Sequence, residues 1–193
     1  MARAGLDSEA VVGAAEQLAD ANGLDAVTLA MLARQLGVRP PSLYVHIEGL
    51  ADLRRRLAAR GARRLAAAMR TAAAGRARGD ALTAVADAYR SYAREHPGSY
   101  AALQRAPDPD DAETTAAGAE AVEVVLAVLR GYGLESDDAI HATRIIRAAL
   151  HGFVSLEAGG GFGLPLDVDD TFARLTYLLD QGLGATRPGG AAA

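Results

Sequence analysis

The chain has 193 residues, of which 50% are hydrophobic and 23% are charged, and it contains neither cysteine nor tryptophan. This balance is typical of a folded soluble protein and excludes an intrinsically disordered chain, a collagen-like repeat and a disulfide-stapled fold. No apolar run approaches the roughly 20 residues that span a bilayer, and the opening MARAGLDSEA lacks the apolar stretch of a secretory signal. We therefore expect a cytoplasmic protein with no membrane partner.

The net charge of −4 hides an uneven distribution along the chain. Residues 1–78 carry 12 arginines and seven acidic residues, whereas residues 79–193 carry eight arginines and 17 acidic residues. The positive charge is concentrated in residues 49–78, which hold nine arginines and one acidic residue. Such a concentration indicates a polyanionic partner for the N-terminal part of the chain.

Apolar residues recur at spacings of three and four almost throughout, and strand-like alternation is absent, so the sequence predicts an all-α protein. A first helix is predicted over 8–21 with Ser8 as its N-cap, and a second over 28–36 with Thr28 as its N-cap. The remaining helices are predicted over 40–46, 50–74, 80–95, 98–104, 111–130, 137–158 and 170–182.

The most informative pattern lies between residues 28 and 46. Two short helices are joined there by Gly37, the residue best able to adopt the left-handed turn conformation, which is the arrangement of a helix-turn-helix. Val38, Leu43 and Ile47 anchor the second helix in the core, and the N-terminal part of such a helix reaches base edges in the DNA major groove. The side chains left available to a partner are Arg39, Ser42, Tyr44 and His46.

Residues 8–57 resemble the DNA-binding domain of the TetR family of transcriptional regulators. The resemblance rests on the Gly37-Val38 turn and on the run Ser42-Leu43-Tyr44-Val45-His46, followed by the apolar Ile47. In that family the matching serine, tyrosine and histidine contact DNA, mostly its backbone, and phosphate contacts fix register rather than sequence. The DNA-binding residues expected on this basis are Arg39, Pro40, Ser42, Tyr44 and His46, and Thr28 and Arg54 are further candidates.

Two positions differ from the family pattern. Glu48 stands near the start of the long helix, where family members often have a phosphate-binding lysine, and Ala30 lacks the polar reach found in many members. Arginines can compensate, including Arg34 and, on an N-terminal arm, Arg3. We therefore expect DNA binding with few phosphate contacts. For Tyr44 and His46, the alternative is a half-buried aromatic residue and an ordinary surface histidine.

The C-terminal part resembles the family more weakly. Its stretch Leu150-His151-Gly152-Phe153 is similar to the C-terminal domain of a TetR-like subset named for a Trp-His-Gly motif, although the tryptophan is absent here. In the family the last two helices of each subunit form a four-helix dimer interface, and small residues permit close approach of helices. The residues expected in that interface are Ala148, Gly152, Leu175, Leu178 and Leu179.

A ligand pocket is predicted from aromatic residues with polar tips near the end of one helix. The candidate ligand-binding residues are Met69, Tyr89, Tyr92, His96, Tyr100, Leu103, His141 and Phe153. Aromatic residues at helical spacing also form ordinary cores, so core packing stays open as the alternative. The predicted organisation is a helix-turn-helix DNA-binding domain over 1–49, a connecting helix over 50–78, a ligand-binding and dimerisation domain over 79–186, and a disordered tail over 187–193.

The sequence contains no pattern typical of an enzyme. Gly-x-Ser-x-Gly, a phosphate-cradling loop, His-Glu-x-x-His and a cysteine nucleophile are all missing. Asp137 and His141 are one helical turn apart but lack a third ligand, and helix capping explains the acidic residues. We expect no catalytic residues, cofactor or metal. The predicted function is a homodimeric repressor on a near-palindromic double-stranded DNA operator, released by a small-molecule effector; the alternative is a TetR-like all-α ligand-binding protein without specific DNA binding.

Overall fold

The computed structural model describes residues 6–104 and 111–185, and these contain α-helices, short 3₁₀ segments and loops but no β-strand. The all-α prediction is therefore confirmed. None of the described helices combines the length and the apolar character needed to cross a membrane. In chain order the described α-helices are α1 (Ser8–Asn22), α2 (Leu29–Leu36), α3 (Leu50–Ala73), α4 (Arg78–Glu95), α5 (Pro97–Leu103), α6 (Ala112–Arg130), α7 (Ser136–Ala158) and α8 (Val168–Ala185).

The cap of α1 differs from the prediction by one residue. Asp7, not Ser8, is the N-cap: its extended backbone (φ −123°, ψ 172°) lets its carboxylate accept the Ala10 N–H at 2.7 Å. Ser8 is already the first helical residue. The Ser8 hydroxyl is thereby left to interact with residues outside α1, which matters for the site described below.

The helix-turn-helix has the predicted caps but a different second element. Thr28 Oγ1 accepts the Met31 N–H at 3.2 Å, and Gly37 takes the left-handed conformation with φ 67°. The segment predicted as a helix over 40–46 is a 3₁₀ helix, Pro40–Val45, here called the recognition segment. Its first two residues are prolines, which lack an N–H and cannot donate a hydrogen bond. The six-residue segment is therefore stabilised mainly by short-range hydrogen bonds, such as that from the His46 N–H to the Leu43 carbonyl at 2.9 Å.

The chain forms two compact units that alternate along the sequence. Unit 1 comprises residues 1–64 and 95–118, and unit 2 comprises residues 65–94 and 119–193. Both α3 and α6 contribute residues to each unit. The functional domain limits stay a prediction, and the tail over 187–193 lies outside the described residues, as does Arg3. Large side chains that are almost fully buried in unit 1 are Val11, Val27, Leu32, Leu43, Ile47, Leu53 and Leu57.

Within unit 1, α5 lies directly against α1. Gly98 permits this approach, because a Cβ atom there would lie 2.1 Å from the Ala19 carbonyl carbon. The next residue, Ser99, donates its N–H to Asp20 Oδ1 at 2.9 Å, and the Ser99 hydroxyl lies 3.3 Å from Glu16 Oε1. Contact between the two backbones and these hydrogen bonds fix α5 on the helix that also supports the recognition segment.

Candidate nucleic-acid interface

The recognition segment is anchored by two buried side chains and exposes those between them. Leu43 is fully buried and Ile47 is 2% exposed, whereas Tyr44 and Val45 are 59% and 81% exposed. A polar aromatic residue and a valine with this exposure form a surface suited to sugar, phosphate and base-edge contacts. Val45 is a candidate that the sequence analysis missed, although the spacing of four between Leu43 and Ile47 already points it outward.

Four of the other predicted DNA-binding residues belong to the recognition segment or adjoin it in the chain. His46 is half-buried, and its side chain follows directly after the recognition segment. Thr28, which caps α2, is exposed as well. The residues at the start of the recognition segment, all exposed, are Arg39, Pro40 and Ser42. Their roles toward DNA stay a prediction.

A buried carboxylate holds the start of α3 next to the recognition segment. Asp52 is 7% exposed and accepts the Glu48 N–H at 3.0 Å, an Arg55 N–H at 3.1 Å and the Arg56 Nε–H at 3.1 Å. Burial raises the pKa of Asp52, but the hydrogen bonds from Arg56 and Glu48 and the charges of Arg56 and Arg55 outweigh it, so the pKa lies below its ordinary value. The carboxylate is therefore charged at neutral pH and fixes both arginines.

Ser8 links this cluster to the end of the recognition segment. Arg56 Nη1 donates to Ser8 Oγ at 2.6 Å, and the Ser8 hydroxyl in turn donates to the His46 carbonyl oxygen at 3.4 Å. The backbone of His46 is thereby connected to the first turn of α1 and, through Arg56, to Asp52. These hydrogen bonds fix the position of the His46 backbone at the end of the recognition segment.

Most of the positive charge on α3 is neutralised within unit 1. Each of the six arginines between positions 54 and 64 has a carboxylate oxygen within 4.0 Å. The pairs and their N···O distances are Arg54–Asp25 at 3.7 Å, Arg55–Asp52 at 3.1 Å, Arg56–Asp52 at 3.0 Å, Arg60–Glu16 at 3.0 Å, Arg63–Glu113 at 2.9 Å and Arg64–Glu16 at 2.7 Å. The predicted DNA contact by Arg54 stays a prediction, and its guanidinium points toward Asp25.

Two arginines near the recognition segment are not paired in this way. Arg34 on α2 and Arg39 before the recognition segment are exposed, and neither has a carboxylate within 4.0 Å in the described ranges 6–104 and 111–185. Arg34 is a second candidate beyond the predicted site residues. These two cations, rather than the arginine-rich helix, are available to phosphate.

The eight predicted ligand-binding residues are distributed over both units. Met69, Tyr89, Tyr92 and Phe153 are buried in unit 2, where His141 is exposed on α7. The other three belong to unit 1, where Tyr100 is buried, Leu103 is partly buried and His96 Nδ1 lies 3.2 Å from Asp20 Oδ2. Ligand binding by these residues stays a prediction.

A buried arginine in unit 2 was missed by the sequence analysis. Arg90 donates to Glu157 and lies 2.7 Å from Asp169 Oδ1, and its guanidinium lies over the rings of Phe172 and Phe153 at 4.7 and 5.4 Å. The hydrogen bond from Arg90 lowers the pKa of Glu157. The cluster joins α4, α7 and the start of α8. No local sequence pattern predicts this cluster, because Arg90 and Glu157 are 67 positions apart.

The predicted dimer residues lie on a face of α7 and α8 that is largely exposed. Ala148, Gly152 and Leu178 are exposed, and Leu175 and Leu179 are partly buried. Further large apolar side chains on the same two helices are exposed and were not predicted. They are Ile140 at 46%, Ile145 at 59%, Leu156 at 53% and Tyr177 at 62%.

Comparison with known proteins identifies the family. Residues 11–57 match the family model for bacterial regulatory proteins of the tetR family, and residues 82–179 match that for the Tetracyclin repressor-like C-terminal domain. An uncharacterized HTH-type transcriptional regulator of Mycobacterium tuberculosis is 42% identical over 179 residues, which cover 92% of this chain and 82% of the relative. The chain belongs to the TetR family. It is therefore a transcriptional regulator rather than an enzyme.

Solved structures agree with the fold. A protein of unknown function from Rhodococcus sp. RHA1 has a TM-score of 0.80 and 25% identity, with 94% of this chain and 97% of that chain covered. A TetR variant from Acinetobacter baumannii AYE in complex with minocycline has a TM-score of 0.65 and 21% identity, with 93% and 95% covered. The narrower assignment to the Trp-His-Gly subset stays a prediction.

Proposed function

We propose that this TetR-family regulator is a homodimeric, cytoplasmic repressor that binds a near-palindromic double-stranded DNA operator and leaves it when a small molecule binds. The exposed surface of the recognition segment carries the proposal: Tyr44 and Val45 project from a segment anchored by the buried Leu43 and Ile47. Side chains of this size have no core to fill on that surface. DNA is the partner that the family assignment indicates for it.

The side chains have distinct roles in this proposal. The hydroxyls of Ser42 and Tyr44 and the imidazole of His46 donate to phosphate oxygens, which fixes the register of the segment on the duplex. Arg39 lies at the start of the recognition segment, where a guanidinium reaches the edge of a guanine. Thr28 and Pro40 lie beside the backbone of the DNA.

The dimer follows from the apolar face of α7 and α8. Ile145, Gly152, Leu156, Tyr177 and Leu178 are all exposed on these two helices. Apolar surface of this kind marks a contact with a partner, and a second copy of the same helices supplies a matching surface in a two-fold dimer. Two subunits then address two half-sites about 34 Å apart, or one helical turn.

Release by a small molecule requires that binding in the C-terminal part changes the spacing of the two recognition segments. A coupling free energy of only ~1–3 kcal/mol is sufficient. The continuous helix α3 contributes residues to both units, so a displacement of one end is transmitted to the other. The buried aromatic residues Tyr89, Tyr92 and Phe153 are the proposed lining for a mainly apolar effector. The minocycline complex of the Acinetobacter baumannii relative is a family precedent for such a ligand.

Fluorescence anisotropy with DNA from around the coding region, titrated against scrambled competitor, tests DNA binding. We expect Tyr44→Phe to weaken binding to all sequences by about 5- to 150-fold, since one hydrogen bond of ~0.5–1.5 kcal/mol is removed in each of two subunits. Thr115→Val is the control, because it also removes an exposed hydroxyl but lies on α6, outside both the recognition segment and the proposed dimer face. Equal binding by both variants would refute the role of Tyr44. Arg39→Ala should instead change base preference, by ~1–3 kcal/mol for each bidentate arginine–guanine pair that the substitution removes.

The pairing of the α3 arginines favours a second candidate, a TetR-like ligand-binding protein without specific DNA binding. The exposed Glu48 beside the recognition segment points the same way. A salt titration counts the phosphate contacts, since the slope of log affinity against log salt is about −0.9 per phosphate neutralised, and comparison with scrambled DNA separates the two candidates. If Arg34 of each of two subunits contacts a phosphate while Arg39 reads a base, the slope is about −2. The second candidate would be favoured if DNA from around the coding region bound no more tightly than scrambled DNA and if selection from random sequences also found no preferred site.

A further inference from the structure

Unit 2 contains a cleft of about 540 Å³ where the ends of three helices meet. It is lined by the last turn of α3 and the turn that follows, by the start of α4 and by the end of α6. Alanine and valine side chains form its floor, among them the buried Ala81, Val124 and Val128. Its volume lies within the range of small-molecule sites, roughly 300–1,000 Å³.

Four arginines and a single carboxylate surround this apolar floor. The arginines are Arg70, Arg76, Arg78 and Arg130, and the carboxylate is Glu123. The concentration of positive charge is local, because unit 2 as a whole carries ten arginines and 12 acidic residues. The cleft is therefore a basic region within an acidic unit.

The charges of these arginines are not neutralised as those of α3 are between positions 54 and 64. Within the described residues, Arg76, Arg78 and Arg130 have no carboxylate within 4.0 Å, and Arg70 is 3.9 Å from a half-exposed Glu120. The Arg76 guanidinium instead donates to the Ala72 carbonyl, and that of Arg78 lies 5.3 Å from the centre of the Tyr132 ring. A carbonyl and an aromatic ring orient a guanidinium without pairing it with a carboxylate.

We propose that this cleft binds a small organic anion, with a carboxylate or phosphate head on the arginines and a short apolar body on the alanine and valine floor. Arginine forms bidentate, charge-assisted hydrogen bonds to both kinds of head group. Three guanidinium groups without carboxylate partners favour an anion, and the buried valines favour an attached apolar body over a free inorganic ion. The site is distinct from the aromatic residues proposed above for the effector.

Isothermal titration calorimetry on the full chain, in the absence of DNA, tests the proposal. The probes are octyl phosphate, octanoate, octanol and inorganic phosphate. We expect one octyl phosphate or octanoate bound per protomer, and binding of octanol and of inorganic phosphate at least about tenfold weaker, since each lacks one half of the interaction. Comparison of octyl phosphate with octanoate identifies the preferred head group. The proposal would be overturned if octanol or inorganic phosphate bound as tightly as octyl phosphate.

Variants locate the binding in the cleft. The double variant Arg76→Gln/Arg130→Gln should lower the affinity for octyl phosphate about 100-fold, because two charge-assisted hydrogen bonds to the head group are removed. Arg144→Gln, an exposed arginine on α7 outside the cleft, should leave the affinity unchanged. Ala127→Phe fills the cleft without changing its charge and should also abolish binding, whereas Ala119→Phe, exposed on the same helix, should not.

Two results would contradict this assignment. Octyl phosphate affinity that survives both the double variant and Ala127→Phe would place the anion elsewhere. If instead the double variant weakened binding of random-sequence DNA while no probe bound the unaltered protein, the cleft would be a nucleic-acid surface. Since operator binding is measured separately by anisotropy, failure of this proposal and failure of the proposed DNA binding are distinguishable.

Discussion

Replacement of Gly98 by alanine tests the packing of α5 against α1. A Cβ atom at this position would lie 2.1 Å from the Ala19 carbonyl carbon, 2.2 Å from its oxygen and 2.6 Å from the Asp20 nitrogen. All three atoms belong to the backbone of α1, so no side-chain rotation relieves the overlap. Helix α5 must therefore move away from α1 by more than an ångström, which breaks the hydrogen bond from the Ser99 N–H to Asp20 Oδ1.

The magnitude follows from these two effects. Overpacking of a tight interface costs ~1–3 kcal/mol, and breaking a buried hydrogen bond costs a similar ~1–3 kcal/mol. Alanine recovers up to ~1 kcal/mol in helix propensity relative to glycine. The net decrease in unfolding free energy for Gly98→Ala is therefore about 3 kcal/mol.

Guanidinium denaturation measures the effect. The protein concentration is held fixed, because the unfolding of the proposed dimer depends on concentration. Gly118→Ala is the matched control. It lies in α6, and a Cβ there would have no atom within 4 Å. This variant should be more stable than the unaltered chain by ~0.5–1 kcal/mol. If Gly98→Ala were as stable as Gly118→Ala, α5 would not lie against α1 at this distance and the reasoning would fail.

Three further predictions concern the charged clusters and the dimer. Asp52→Asn should lower the free energy of unfolding by ~1–3 kcal/mol at pH 7. The pKa of Asp52 is lowered in the folded state, so the stabilisation by its carboxylate is complete above the unfolded pKa of about 3.9 and is lost as the pH falls through the folded pKa. Melting curves of the variant and the unaltered protein should therefore converge in acid. Arg90→Gln should cost ~3 kcal/mol in guanidinium denaturation, since it leaves Glu157 without its partner. Gly152→Phe should yield monomers in sedimentation velocity, whereas Gly118→Phe should not; dimers from both would exclude Gly152 from the interface.

Features that depend on neighbouring residues were accessible from the sequence. The cap by Thr28 and the left-handed turn at Gly37 are properties of a few consecutive residues, and the structure has both as predicted. The exposed and buried positions of the recognition segment follow from the spacing of Leu43 and Ile47. The wrong cap of α1 is a local ambiguity, because Asp7 and Ser8 are both good N-caps and only the backbone geometry decides between them.

Features that depend on distant residues were not accessible. Glu16 and Arg64 are 48 positions apart and Arg90 and Glu157 are 67 apart, so no periodic pattern connects them. Helical periodicity shows that Arg60 to Arg64 cover one turn of α3, but not that a carboxylate from α1 lies beside them. The sequence therefore left a solvated helix face and a DNA contact both open for these arginines, whereas the structure pairs them with carboxylates within unit 1.

The pairing of the α3 arginines has a consequence for regulation. The arginines that bind Glu16 and Asp52 hold α3 against α1 and the recognition segment. In the proposed DNA complex they add to the rigidity of the recognition segment instead of to phosphate affinity. An operator complex with few phosphate contacts has a moderate affinity at physiological salt. For the proposed effector, the ~1–3 kcal/mol typical of allosteric coupling, about 5- to 150-fold in affinity, is then enough to empty the proposed operator. A regulator with all its α3 arginines on DNA would need a larger coupling to be released.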